Sequence, residues 1–314
     1  MRAIVMREFG GPEVLRMAEM PDPTPRAAHH LLTVSRAGVN YADVHVRNDN
    51  YLAPVELPFI PGNEVVGTTA DGRRFVGLTR GGGYAERALV HRRLAWEVPD
   101  DITDEQACAL GLQGLSAWHL LFTAAELAAG ETVVVPAAGG GLGSLAVQLA
   151  KQAGAKVIAL AGTEEKRQLA SKLGADAVVD STTASLTADI LDAAGGPVHV
   201  VLDMAGGPTT RALLAAVAPR GRAVLYGYAS GRTSDIPAGL LMEKSVTVSG
   251  FWLPNLYADR DALPAAMTAL FAAARAGTLT PVIGAVYPLA EAPAAHAALA
   301  TRTHSGKLAL APAQ

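Results

Sequence analysis

The stretch Glu131–Gly162, ETVVVPAAGGGLGSLAVQLAKQAGAKVIALAG, constrains the fold of this chain more than any other. Thr132–Val135 is a short β-favouring run, glycines at 139, 140, 141 and 143 turn the chain sharply, and Leu142–Ala153 then follows helical spacing. A second apolar strand is predicted over Lys156–Ala161. Strand, glycine turn, helix and strand make a βαβ unit whose helix N-terminus is open to an anion lying over the turn. The fingerprint reads Ala138-x-Gly140-x-x-Gly143, with alanine in place of the first glycine. A small residue serves the tight turn, Gly140 allows close approach of a pyrophosphate, and Gly143 lets helix pack against strand. A linker can carry the same glycines, but the flanking strands favour a dinucleotide site made by Ala138, Gly140, Gly141, Leu142 and Gly143.

The 314 residues set a soft expectation of two domains. A formal net charge of -3 shows no basic excess, which speaks against a nucleic-acid partner. With 50% hydrophobic and 18% charged residues, the composition is that of a compact α/β enzyme. No apolar run approaches the roughly 20 residues of a membrane helix, and Met1–Gly10 has no signal-peptide core, so a cytoplasmic protein without a membrane partner is expected. The single cysteine, Cys108, rules out an intrachain disulfide or a multi-cysteine zinc site and reads as a small buried helix residue.

Residues 2–39 give short β-like runs, predicting an antiparallel, partly open β domain with His29 and His30 in a solvated connecting loop. A short helix is expected over Asn40–Asn50. Further strands are expected between Gly62 and Val90, and two helices over Thr103–Leu110 and Leu115–Ala125, the first opened by a Thr103/Gln106 capping box. Beyond Gly162 helices and strands alternate, and the run Ser245–Leu253 completes six strands, the number of a full dinucleotide-binding sheet. The tail from Tyr257 is expected to return to the first domain. The predicted fold class is α/β: a Rossmann doubly wound parallel six-stranded sheet over 113–255, plus a mostly antiparallel β domain from 1–112 and 256–314.

MRAIVMREFGGPEVL, AGVNYAD, LPFIPGNE, GGYAE, QGLSAW, AAGGGLGSLAVQLAKQAGA, KLGADAVVD and TRTHSGKLAL, in that order, resemble the medium-chain dehydrogenase/reductase superfamily in its zinc-free quinone oxidoreductase, or zeta-crystallin-like, branch. The resemblance implies a GroES-like catalytic domain joined to a Rossmann domain, an active site in the cleft between them, and a homodimer. Metal ligands of zinc-dependent relatives fall on Asn40, Asn63 and Ala109, which supply neither the thiolate nor the imidazole that zinc prefers, although Glu64 remains. No metal is therefore expected, and nicotinamide supplies the chemistry.

NADPH is the expected cofactor. An NAD site places a carboxylate at the end of the second strand, whereas Gly162-Thr163-Glu164-Glu165-Lys166-Arg167 offers the Thr163 hydroxyl and the Lys166 charge to a 2′-phosphate. Lys166 and Arg167 can equally be a solvated helix face. By resemblance Arg302 joins the phosphate pocket, while Ser181 stands where the family has a tyrosine. Gln113 and Ser116 are implied beside the nicotinamide, and Asn40, Asp43 and Tyr51 as catalytic residues. Tyr226, Phe251 and Leu253 end two Rossmann strands and are further cofactor candidates, although simple aromatic packing also explains the two aromatics. The expected activity is hydride transfer to a quinone or an α,β-unsaturated carbonyl. An enoyl-thioester reductase and an NADPH-binding protein of structural or sensing role remain as alternatives. For the oxygen that gains charge, Tyr51 and Asn40 are the candidate donors, and Asp43 reads as an orienter because an ordinary carboxyl is ionised at pH 7.

Overall fold

In a computed structural model, which describes residues 1–232, 234 and 236–312, the first segment is built from short strands. They are β1 (Arg2–Val5), β2 (Arg16–Glu19), β3 (His29–Val39), β4 (Glu64–Thr68), β5 (Arg74–Leu78), β6 (Arg87–His91) and β7 (Ala95–Glu97). Helix α1 (Tyr41–Arg47) follows β3, and α2 (Asp104–Ala109) follows β7. Thr103 caps α2 as its spacing predicts: its hydroxyl accepts from Gln106 N–H at 3.2 Å, and Gln106 Oε1 accepts from Thr103 N–H at 2.9 Å. His29 and His30 do not lie in a loop but open β3. His29 meets His91 edge-on at 5.0 Å and His30 stacks on Phe75 at 4.3 Å, so cross-strand aromatic packing takes both rings into the sheet.

Residues 104–124 are helical almost throughout, with π turns over 110–114 and 120–124 on either side of α3 (Leu115–His119). This run is long and apolar enough to cross a membrane by length and composition, which the sequence reading overlooked. However, 67% of its apolar window is buried within the protein, the signature of a core helix.

The alternation that follows is β8 (Thr132–Val135), α4 (Gly141–Gln152), β9 (Lys156–Ala161), α5 (Glu164–Lys172), β10 (Ala177–Asp180), α6 (Leu186–Ala194), β11 (Val198–Asp203), α7 (Pro208–Ala216), β12 (Val217–Leu225), α8 (Ala238–Lys244) and β13 (Thr247–Gly250). All six strands are parallel, in the order β10-β9-β8-β11-β12-β13. Counted from β8 this is 3-2-1-4-5-6, the doubly wound order whose reversal lies between β8 and β11. Val133, Val134, Ile158, Val200 and Val201 are wholly buried because helices cover both faces, and each such side chain contributes about 1.5–3 kcal/mol of transfer free energy.

The tail consists of α9 (Ala262–Arg275), β14 (Ile283–Pro288), α10 (Ala292–Thr301) and β15 (Lys307–Ala311). β15 pairs antiparallel with β3 and parallel with β14, completing a seven-stranded sheet β14-β15-β3-β4-β5-β7, with β6 also on β3. Leu299, Leu308 and Leu310 share a core with Ile4, Leu32 and Val65. The chain thus forms two compact units, Met1–Gln113 with Asp259–Gln314, and Gly114–Ala258.

Candidate functional site

The glycine turn closes as its fingerprint requires. Ala137 takes the left-handed backbone conformation, φ 48°, and Gly140 stands at the N-cap of α4 with no side chain occupying the N–H groups of the first turn. A Cβ on Gly143 would lie 2.2 Å from the Ala137 carbonyl oxygen, so only glycine lets the helix approach the strand here. Ala138 is fully buried and donates its N–H to Leu160 O at 3.0 Å.

At the end of β9, Thr163 caps α5, its hydroxyl accepting from Lys166 N–H at 3.3 Å. A Cβ on Gly139 would lie 2.7 Å from the Lys166 Cβ and Cγ, so the lysine stem lies against the glycine turn. Arg167 differs in placement: it pairs with Glu164 and Asp180, both at 3.1 Å, and donates to Ala161 O. Those contacts make Arg167 a local tie.

In the first unit the structure brings Asn40, Asp43, Glu64 and Gln113 together, and adds Lys307. Glu64 and Lys307 are 0% and 1% exposed and form an ion pair. The Glu64 carboxylate also accepts from Asn40 Nδ2 at 2.8 Å and from Leu112 N–H at 2.6 Å. A Cβ on Gly38 would coincide with this carboxylate, and one on Gly111 would lie 2.7 Å from it, so two glycines make its room. Lys307 Nζ also donates to Asn40 Oδ1 at 3.0 Å, and Gln113 Nε2 donates to the same oxygen at 3.1 Å.

These bonds correct the role expected of Asn40. Its amide hydrogens are directed at Glu64 and, at 3.4 Å, at Gly38 O, so it has no N–H left to stabilise a substrate oxygen. Asn40 is a link between the buried ion pair and Gln113.

Asp43 is 1% exposed and accepts from Asn40 N–H (2.9 Å), Asn63 Nδ2 (2.7 Å) and the Tyr84 hydroxyl (3.1 Å). The orienting geometry agrees with expectation, but the carboxyl is not an ordinary one. Burial pushes it up to about 7 against the pull of the Asn40 N–H, the Tyr84 hydroxyl and the Lys307 charge. Tyr84 in turn meets His296 Nε2 at 3.0 Å, and burial lowers that imidazole to about 3. Tyr84, His296 and Lys307 escaped the sequence reading, because a lysine opening the apolar strand KLALA and the tyrosine in GGYAE carry no local sign of a site.

Tyr51 is half-buried in a bend after α1, against the core of the first unit. Ser116 is buried on α3. Tyr226 follows β12, its phenol raised by burial and by Asp203. Phe251 continues β13 by donating its N–H to Leu225 O at 2.8 Å, and Leu253 is buried. Arg302, exposed and left-handed at φ 57°, ends α10 in the first unit, whereas Thr163 and Lys166 belong to the second.

A doubly wound six-stranded unit with a glycine turn after its first strand, joined in one chain to a mostly antiparallel β unit, is the architecture of a medium-chain dehydrogenase/reductase. Residues 141–287 match the zinc-binding dehydrogenase family. Quinone oxidoreductase 1 of Escherichia coli K12 is 32% identical, over 98% of this chain and 99% of the relative. Among solved structures, a mycobacterial protein complexed with NADPH superposes with a TM-score of 0.94 at 34% identity, covering 99% of this chain and 100% of the other. The quinone oxidoreductase of Thermus thermophilus, solved alone and with NADPH, gives 0.89 at 36% identity, covering 99% and 100%. The chain belongs to the quinone oxidoreductase family, in the zinc-free branch of the medium-chain dehydrogenases/reductases. It is an oxidoreductase.

Zinc does not fit this chain's residues. Asn40, Asn63 and Ala109, where the resemblance sets the metal ligands, offer neither thiolate nor imidazole, and a lysine ammonium is bonded to both Glu64 and Asn40. Among the described residues no cluster of three or more histidines, cysteines or carboxylates is placed to hold a metal ion. NADPH does fit: uncapped N–H groups at the start of α4 suit a pyrophosphate, and Lys166 beside the turn suits a further phosphate.

Proposed function

We propose that this chain is a zinc-independent, NADPH-dependent reductase acting on conjugated carbonyl compounds, either quinones or α,β-unsaturated ketones. The observation that carries this reading is the donor set around Asn40. An ammonium closed by a carboxylate and an amide leaves no ligand set for a Lewis-acid metal, which favours an acceptor that takes a hydride readily without one. Bound NADPH supplies the hydride; the chain supplies orientation and a donor for the oxygen that gains charge. Of the two donors first considered, Tyr51 offers a phenolic hydroxyl, which donates without titrating near neutral pH.

Purified protein should oxidise NADPH steadily with a small quinone and with an enone. Turnover confined to an enoyl thioester would replace the substrate class, and binding without turnover across the whole panel would leave a cofactor-binding protein. Tyr51→Phe should lower kcat on the enone by about tenfold, the worth of one neutral hydrogen bond, with NADPH affinity unchanged. Full kcat in that variant would place the donor elsewhere.

Cofactor preference follows from Lys166. Its stem lies against Gly139 and no carboxylate ends β9, which supports a 2′-phosphate contact. Lys166→Ala should weaken NADPH binding by roughly 1.5–3 kcal/mol and leave NADH binding nearly untouched. Equal losses for the two cofactors, read by titration calorimetry, would assign the lysine to the fold. A homodimer belongs to the same reading, with β13 at an edge of the parallel sheet as the surface for a second copy.

A further inference from the structure

The chain passes between its two units twice, at Gln113–Gly114 and at Ala258–Asp259. The two crossings are mechanically unequal. Residues 257–261 are irregular and yield easily, whereas the crossing at 113–114 falls inside the helical run 104–124. An unbroken α-helix there would be stiff, and what interrupts it at the crossing is the π turn over 110–114, with glycines at 111 and 114. Changing from α pairing (i−4) to π pairing (i−5) skips one N–H of the ladder. The Leu112 N–H is donated to Glu64 Oε2 at 2.6 Å.

Glu64 opens β4, in the sheet of the first unit, and its two oxygens divide their partners. Oε1 takes Asn40 Nδ2 and Lys307 Nζ, and Oε2 takes Leu112 N–H. The turn is therefore clamped to that sheet just before the crossing. Gly111 makes the clamp possible, since a Cβ there would lie 2.7 Å from Glu64 Oε2. We propose that the π turn at 110–114 is a hinge at which this helix bends between the two units, and that the Glu64 carboxylate holds it in place by keeping the spare Leu112 N–H. Lys307 serves the clamp by keeping the carboxylate ionised, and an ionised oxygen is the stronger acceptor. With no acceptor at 64, the Leu112 N–H turns back to a helix carbonyl, and the skipped position is free to move along the run. The bend then loses its fixed place. This role requires neither the cofactor nor the substrate proposed above.

Two double variants that differ only in the acceptor at 64 test the hinge: E64Q/K307M keeps an oxygen for the Leu112 N–H, E64M/K307M removes it, and neither leaves an unpaired charge. Amide hydrogen exchange in the whole protein should quicken at Leu112 by roughly ten- to hundredfold in E64M/K307M, and much less in E64Q/K307M. The bend is read by electron–electron double resonance between spin labels at Ala297→Cys on α10 and Ser171→Cys on α5, exposed positions in the two units; Cys108 is buried and escapes labelling. The distance distribution should widen in E64M/K307M and stay as in wild type in E64Q/K307M. Should E64M/K307M not fold, Gly111→Ala, which drives the carboxylate off Leu112, must show both changes. Equal exchange at Leu112 in the two double variants overturns the clamp. Faster exchange with an unaltered distance distribution overturns the hinge, since the turn would then loosen without moving the units.

Discussion

Lys307→Met lowers the unfolding free energy by about 3–5 kcal/mol, whereas E64Q/K307M loses far less. The asymmetry follows from where the charges sit. Glu64 and Lys307 are 0% and 1% exposed, and the carboxylate lies in a recess that Gly38 and Gly111 keep clear. Removing the ammonium alone leaves a carboxylate with only Asn40 Nδ2 and Leu112 N–H as donors and no countercharge in a medium that solvates it poorly. Replacing both members takes away attraction and desolvation cost together, and a glutamine at 64 still accepts from Leu112 N–H. Urea unfolding of the two variants beside wild type measures the difference. Equal losses would mean that packing of the lysine stem, not its charge, sets the stability of this region.

The same pair shows how far local signals carry. The glycine turn and the α2 capping box were readable because each depends on residues within a few positions, and the structure reproduces the six strands of the sheet, with ends shifted only in β12 and β13. Lys307 was not readable, since a lysine beginning an apolar strand is ordinary. Only the pairing of β15 with β3 and of β3 with β4 brings it to Glu64, 243 positions away. Asn40 illustrates a subtler limit. Its residue type signals an amide that can donate, but which partner receives the hydrogens is decided by the distant pair. For His29 and His30 the error was one of context, because a polar doublet after a proline-rich turn looks solvated until β6 supplies His91 and β5 supplies Phe75.

Asp43, Tyr84 and His296 yield the second large effect, in the dependence of stability on pH. Burial raises the Asp43 carboxyl from its ordinary value of 3.8 to about 7 and lowers the His296 imidazole from 6.5 to about 3. The two signs are opposite. Stability from Asp43 is fully present below about 3.8 and is lost as pH rises toward 7, because there the folded chain holds a proton that the unfolded chain has released. Stability from His296 is fully present above 6.5 and is lost as pH falls toward 3, because there the unfolded chain takes up a proton that the folded chain refuses. Between pH 4.5 and 6.5 the unfolded pair carries its one proton on the imidazole and the folded pair carries it on the carboxyl, so folding moves a proton without taking one up. The Tyr84 hydroxyl lies between them, 3.1 Å from Asp43 Oδ2 and 3.0 Å from His296 Nε2, and accommodates either state by reversing its bond. When Asp43 is ionised, Tyr84 donates to it and accepts from Nε2–H. With Asp43 protonated, the carboxyl donates to Tyr84 and Tyr84 donates to Nε2. The pair's contribution in wild-type protein should therefore be nearly flat across this window. Asp43→Asn should gain stability with rising pH by up to about 1.4 kcal/mol per unit, and His296→Gln should lose it at a similar rate. Depressed carboxylates elsewhere, such as Asp101 and Asp176, act equally in all three proteins and cancel in the comparison. Urea unfolding at several pH values between 4.5 and 6.5 gives the slopes, and three parallel curves would show that neither buried group changes its proton affinity on folding.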